Sequence, residues 1–291
     1  MRLLAIAGEL SGDGHGGPLL EGLHHHMPTL EVFGIGGPGM RRAGLQPLHP
    51  FEALQVHGLF EVMRHLPRLF RLIWALEDWI ERERPDAVLL IDYPGFNLKI
   101  ARAAKRLGIP VIFYSSPQIW AWRGGRIHTI AAVVDWMFVL FPFEVPLYER
   151  AGVKVLFLGH PLAGESAPRE AVEALRAQLS VDAPSEPLPL AALMPGSRPS
   201  EQRRHLGTLL HAVRLIHEAG FAARWVLPLA TSLDADAVRA EVAASGQPVE
   251  VLEDAFLPVL KLAQLAIVCS GTATLQVGMA GIPFLVVYRV A

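Results

Sequence analysis

Cysteine is nearly absent. The 291-residue chain carries one, Cys269, so no disulfide can close within it. Packing has to hold the fold, and a reducing, cytoplasmic setting suits such a chain. Net charge is equally scarce: 26 lysines and arginines stand against 28 aspartates and glutamates, a formal −2. That balance gives no electrostatic case for nucleic-acid binding, so no nucleic acid is expected as a partner. Long apolar runs are missing as well. Leu3-Leu4-Ala5-Ile6-Ala7 gives way to Gly8-Glu9, too soon for a secretory signal core. The stretch from Ile130 to Phe143 is broken by Asp135, and it falls short of the ~18 residues that span a bilayer. The phosphate-binding pattern G-x-x-x-x-G-K-[ST] does not occur, which argues against an ATPase. His24-His25-His26 lacks a carboxylate or cysteine at ligand spacing, and adjacent helix positions do not face one point. No metal and no other cofactor is expected.

What is present is apolar sequence in short pieces. The chain is 52% hydrophobic, enough for two cores, and its length favours two domains at roughly 100–200 residues each. Strands are expected at Leu3–Ala7, Glu31–Ile35, Ala87–Ile91, Val111–Tyr114, Trp136–Leu140 and Val155–Leu158, with helical patterns between them, the first near Pro18–His26. Most of these strands are apolar on both faces, as in a parallel sheet covered by helices on each side. After a proline-rich linker within residues 160–187 the alternation restarts at Leu190–Met194 and continues to Phe284–Tyr288. The expected class is α/β, with two Rossmann-like doubly wound domains, 1–162 and 163–291, facing a cleft. The chain stops on a strand with no closing helix, so a further C-terminal segment is expected.

Ligands of such sheets bind beyond the carboxyl ends of the strands, and the informative residues cluster there. Gly8-Glu9-Leu10-Ser11-Gly12-Asp13-Gly14-His15-Gly16-Gly17 follows the first strand. Its small residues read as a ligand-approaching loop with Glu9 at the cleft, or as a tight turn that caps a helix through Ser11 or Asp13. Gly34-Ile35-Gly36-Gly37-Pro38-Gly39 matches G-x-G-x-x-G, but it follows the second strand and contains a proline; a structural turn is the better reading. Asp92 follows the strand Ala87–Ile91, where a general base for a hydroxyl would stand, or where a carboxylate would cap the next helix or pair with a nearby cation. The run 114–123 adds Gln118, Trp120, Trp122 and Arg123, a surface for a sugar ring or acyl chain beside a phosphate, or in part simply core. In the second half, Gly196-Ser197-Arg198 and Ser270-Gly271-Thr272 follow strands and read as a guanidinium and a helix N-terminus offered to a diphosphate, or as an ordinary turn and an ordinary helix cap. The wide apolar arc of Leu59, Phe60, Val62, Met63, Leu66, Leu69, Phe70, Leu72 and Ile73, edged by Arg64, Arg68 and Arg71, suits either an anionic membrane surface or a buried domain contact.

These motifs, in this order, resemble the lipid-A-disaccharide synthase family. The matching runs are Gly8-Glu9-x-Ser11-Gly12-Asp13, Ile91-Asp92-x-Pro94-x-Phe96-Asn97, Ser116-Pro117-Gln118-x-Trp120-Ala121-Trp122-Arg123, Pro142-Phe143-Glu144, Gly159-His160-Pro161, Pro195-Gly196-Ser197-Arg198 and Ser270-Gly271-Thr272-Ala273-Thr274. The resemblance implies a GT-B inverting transferase that joins UDP-2,3-diacylglucosamine to 2,3-diacylglucosamine 1-phosphate (lipid X), without a metal, on the cytoplasmic face of the inner membrane. It implies Asp92 and Glu9 as catalytic carboxylates. Ser11, Gly12, Asp13, Asn97, Gln118, Trp120, Trp122 and Arg123 would bind substrate. Gly196, Ser197, Arg198, Ser270, Gly271, Thr272 and Gln276 would bind UDP, with Gln276 where a glutamate is usual. The apolar arc would be the membrane-facing surface, and a homodimer is compatible with the family. Two rival readings stay open from the residues alone: a non-hydrolysing UDP-sugar 2-epimerase, and a non-catalytic nucleotide- or membrane-binding remnant.

Overall fold

The computed structural model describes residues 1–54, 59–121, 124–179 and 188–289, with the side chains of 59–66 left aside. The chain divides into two compact units, Met1–Pro161 and Leu162–Ala291. Unit one runs β1 (Arg2–Ala7), α1 (Leu10–His26), β2 (Glu31–Ile35), α2 (Pro38–Arg42), β3 (Leu45–Pro47), α3 (Leu59–Glu83), β4 (Ala87–Ile91), α4 (Pro94–Arg106), β5 (Val111–Tyr114), α5 (Arg126–Val133), β6 (Trp136–Val139), α6 (Val145–Glu149) and β7 (Lys154–Phe157). Unit two runs α7 (Arg169–Gln178), β8 (Leu190–Met194), α8 (Pro199–Glu218), β9 (Arg224–Leu229), α9 (Ala235–Ser245), β10 (Val249–Glu253), α10 (Phe256–Leu262), β11 (Leu265–Cys269), α11 (Thr272–Met279) and β12 (Phe284–Val287).

Each unit is one parallel sheet. The orders are β3-β2-β1-β4-β5-β6-β7 and β10-β9-β8-β11-β12. Period-two side chains divide each core into two layers. In β1, Leu4 and Ile6 join the layer that α4 covers, while Leu3, Ala5 and Ala7 join the layer beneath α1. In β8, Ala192 and Met194 lie in the layer of α10 and α11, and Ala191 and Leu193 in that of α8. The central strands β4 and β8 are buried throughout, hence their unbroken apolar runs.

The glycine-rich segment departs from the expected loop. Helix α1 starts at Leu10, not near Pro18, and takes in Ser11 to Gly17. The glycines serve close packing. A Cβ on Gly16 would stand 2.6 Å from the Met40 sulfur and 2.9 Å from Ile91 Cδ1, and one on Gly17 would meet the Gly39 backbone at 3.3 Å. With no side chains there, α1 lies against β4 and α2. The short elements α2 and β3 were not foreseen, being too brief to show periodicity.

Gly16→Ala should therefore destabilise the fold by roughly 1–3 kcal/mol through overpacking. Gly14, on the same helix with open space around its Cα, should gain up to about 1 kcal/mol on mutation to Ala. Urea unfolding of the two variants reads both signs.

Candidate functional site

The winding of each sheet reverses once. In unit one, β1 and β4 are neighbours, and the helices that follow them cover opposite faces. In unit two, β8 and β11 are neighbours, and α8 and α11 likewise part to opposite faces. At such a point the two outgoing loops separate and leave a crevice at the strands' carboxyl ends.

Glu9 and Asp92 leave the two strands at the reversal of unit one. Asp92 and Tyr93 are both left-handed, at φ +52° and +47°, each at a cost of roughly 1–2 kcal/mol. Local bonds hold this turn. Asp92 N donates to Tyr114 O at 3.0 Å, and Tyr93 N donates to Asp92 Oδ1 at 2.8 Å. Asn97 Nδ2 donates to Ile91 O at 3.2 Å and to Asp92 O at 2.7 Å. Burial pushes the Asp92 carboxyl up from its ordinary value; the Tyr93 N–H and the charge of His15 oppose the rise. Tyr93 is itself pushed up, by burial first and by Glu9 second.

The loop after β5 begins with another left-handed residue, Ser115, at φ +64°. Ser116 Oγ donates to buried Glu144 Oε1 at 2.7 Å, and Phe141 N donates to Oε2 at 3.2 Å. Tyr148 OH donates to Pro117 O at 3.0 Å. Burial raises the Glu144 carboxyl, and the Ser116 hydroxyl opposes that rise. So fixed, the loop presents Trp120, 52% exposed, edge-on to Phe143 at 5.3 Å. Phe143 stacks on Phe141 at 5.4 Å, and Phe141 lies 5.5 Å from His160, which meets His15 at 5.9 Å. Trp120 is thus surface rather than core, and Gln118 is exposed beside it.

In unit two, Gly196, Ser197, Arg198, Ser270, Gly271, Thr272 and Gln276 all line one cavity of about 740 Å³. The seven come from two segments that follow strands, 196–198 and 270–276, and share this cavity because β8 and β11 are paired. The α11 N-terminus has no side-chain cap; Thr274 N donates to Gly271 O at 3.1 Å, and the N–H groups ahead of it face an anion's natural position at a helix start. Gln276 Nε2 donates to Glu165 Oε2 at 2.8 Å. His205 braces the rim: Arg289 N donates to its Nε2 at 3.1 Å, which leaves Nδ1–H for Pro195 O at 3.2 Å. A larger cavity, about 1110 Å³, opens among Leu190, Arg224 and Val249 at the other end of the strands. It lies away from the loops where a parallel sheet places its ligands.

Four expected contacts need correction. Asp13 is buried, and its carboxylate accepts from Gly39 N at 2.8 Å and Met40 N at 2.9 Å. It caps α2 rather than facing a substrate. Asn97 is fully buried and its Nδ2 donates to the backbone of 91–92, which holds the Asp92 turn, while its Oδ1 is buried without a hydrogen-bond partner. Leu72 and Ile73 lie in the core, because the inner side of α3 packs on the sheet. Phe70 and Trp74 keep the outer side, at 42% and 64% exposure, and Leu69 is half-buried. Trp122 and Arg123, and the side chains of Leu59, Phe60, Val62, Met63 and Leu66, lie outside the described residues.

Sequence reasoning singled out no role for His15, Glu144, Glu201 or His205. His15 and Glu144 stood inside quoted motifs. The signal for Glu201 was its place three residues after Arg198, where a helix's third residue reaches back to the N-terminal N–H groups. Buried His205 gave no signal. Among the described residues no histidine, cysteine and carboxylate group could hold a metal, and no helix is long and apolar enough to cross a membrane.

The comparisons agree with one another. The family model "Lipid-A-disaccharide synthetase" matches residues 3–291. A curated lipid-A-disaccharide synthase of Geobacter sulfurreducens is 40% identical over 290 residues, covering 100% of this chain and 75% of the relative. Among solved structures, the UDP-GlcNAc 2-epimerase of Neisseria meningitidis bound to UDP-GlcNAc superposes at TM-score 0.60 with 16% identity, covering 98% of this chain and 82% of the other. MurG of Acinetobacter baumannii does so at 0.56 with 14% identity, covering 97% and 77%. At such identities the structures speak for the fold, which is that of the GT-B glycosyltransferases, and the sequence matches speak for the family. This chain belongs to the lipid-A-disaccharide synthase family.

Proposed function

We propose that this protein is an inverting glycosyltransferase that joins UDP-2,3-diacylglucosamine to lipid X, giving the β-1,6-linked disaccharide phosphate and UDP. One observation carries the reading: in a chain of this family, five loop residues and two of helix α11, suited together to a nucleoside diphosphate, line a single cavity at the winding reversal of unit two.

Each reversal is assigned one half of the chemistry. Asp92 takes the proton from the acceptor's 6-hydroxyl as that oxygen attacks the anomeric carbon and the bond to UDP breaks. The leaving diphosphate gains negative charge. Arg198 and the open N–H groups of α11 meet that charge, which binds the transition state more tightly than the ground state. Glu9 lines the acceptor side, where its charge already reaches Tyr93. Trp120 and Gln118 give the acceptor sugar a face and a polar edge, and exposed Ser11 stands in the first turn of α1, while Gly12 is buried against Ala7 and Ile91. Phe70 and Trp74, with Arg68 and Arg71 exposed beside them, form the part of α3 that would meet the anionic inner leaflet from which both acylated substrates come. The epimerase reading keeps only the shared fold in its favour. Incubation with UDP-2,3-diacylglucosamine and lipid X together separates the two, because a transferase releases UDP and an epimerase gives no net UDP.

Asp92→Ala should cut turnover by roughly 10²–10⁴-fold, with UDP affinity by calorimetry nearly intact. Full turnover would remove Asp92 from the mechanism. Burial holds the Asp92 carboxyl above its ordinary 3.8. The base works deprotonated, so kcat/KM should fall as pH drops through that raised pKa, and the acid limb should lie above the ordinary aspartate range. Arg198→Ala should weaken UDP by roughly tenfold or more; unchanged affinity would take Arg198 out of the phosphate site.

A further inference from the structure

On the β8 side of the cavity, the donors of Ser197 and Arg198 already have an anionic partner. Glu201 Oε2 accepts from Ser197 N at 3.2 Å and from Arg198 N at 3.3 Å, and its Oε1 accepts from Arg198 Nη1 at 2.9 Å. Glu201 is the third residue of α8, and the reach back to the helix start is that of a capping carboxylate. Gly196 makes the fold-back feasible. It sits at φ +117°, and a Cβ there would lie 2.6 Å from Glu201 Cβ and 2.7 Å from Oε2. The carboxylate lines the same cavity as Ser270 and Thr272. Its charge is felt across that cavity, since the Cys269 thiol is pushed up by burial first and by Glu201 second.

A diphosphate gripped by Arg198 and the 196–198 turn needs these same three donors. Each N–H serves one strong acceptor at a time, and a carboxylate beside a diphosphate adds like-charge repulsion. We propose that Glu201 is a resident stand-in for the diphosphate: its carboxylate holds the phosphate-binding turn and the Arg198 guanidinium in shape until the nucleotide displaces it. The two backbone bonds, at 3.2 and 3.3 Å, are at the long end for N–H···O. A ligand with several phosphate oxygens and a greater charge makes better use of the same donors, whereas uridine alone cannot displace the carboxylate. Glu201 thereby makes nucleotide binding depend on the phosphates. This proposal rests on the nucleotide-site reading given above.

The test is calorimetry of the full chain with UDP and with uridine, for the parent, Glu201→Gln and Arg198→Ala. Gln keeps the shape and removes the competing charge. The expected result is UDP bound roughly tenfold tighter by Glu201→Gln, with uridine affinity unchanged and Arg198→Ala weakened. Equal or weaker UDP binding by Glu201→Gln, with Arg198→Ala still weakened, would overturn the stand-in role and leave the nucleotide site intact. Binding of UDP by no variant would overturn the nucleotide site, and the proposal with it. Should Glu201→Gln fail to fold, Glu201→Asp carries the same test, because it draws the charge back by one methylene. UDP affinity above the parent supports displacement, and affinity at or below the parent overturns it.

Discussion

The reversal of winding in each parallel sheet is the constraint on which everything else depends. A parallel pair needs a crossover, crossovers are right-handed, and a sheet extended from its first strand in both directions must therefore send helices to both faces. Between β1 and β4, and again between β8 and β11, the outgoing segments part. The gap is forced by topology before any side chain is chosen. The sequence then puts its acids, its arginine and its Ser-Gly-Thr helix start on the loops that border those gaps.

Strain gathers at the same edge. Of the non-glycine residues with positive φ, Asp92, Ser115 and Asp254 each directly follow a strand, and Tyr93 follows Asp92. Chains tolerate such conformations where surrounding bonds over-determine them. Here Asn97 holds the backbone of Asp92, and the Ser116–Glu144 bond holds the next loop. A left-handed residue turns the chain sharply into the following helix, so the side chain stays at the end of the sheet. Capping carboxylates do comparable work further out. Asp13 anchors α2, and Glu201 shapes the turn at α8, each by offering oxygen to backbone N–H groups that would otherwise be orphaned.

Much of this was legible in the residues, and the failures share a cause. The strands β1, β2, β4, β5, β8 and β11 stood out as apolar runs bounded by turn chemistry. Six of the seven cavity residues proposed for the nucleotide stood out as small or cationic residues after strands, and Gln276 through the family likeness. The glycine-rich segment misled because glycine reads alike whether it frees a loop or lets a helix come close; only the neighbours, Met40 and Ile91, tell the two apart. Asp13 and Asn97 misled because a polar residue in a motif has the same letter whether it faces a ligand or satisfies the backbone. Leu72 and Ile73 misled because a wide apolar arc does not say which part of it the sheet takes. His205 was silent, since its partners Pro195 and Arg289 lie 10 and 84 positions away.

Soaking a crystal of the protein with UDP tests the account most directly. The account predicts the diphosphate over the carboxyl ends of β8 and β11, within hydrogen-bond distance of Arg198 and the N-terminal N–H groups of α11. Density for UDP in the larger cavity near Trp225, at the opposite end of the same strands, would contradict it.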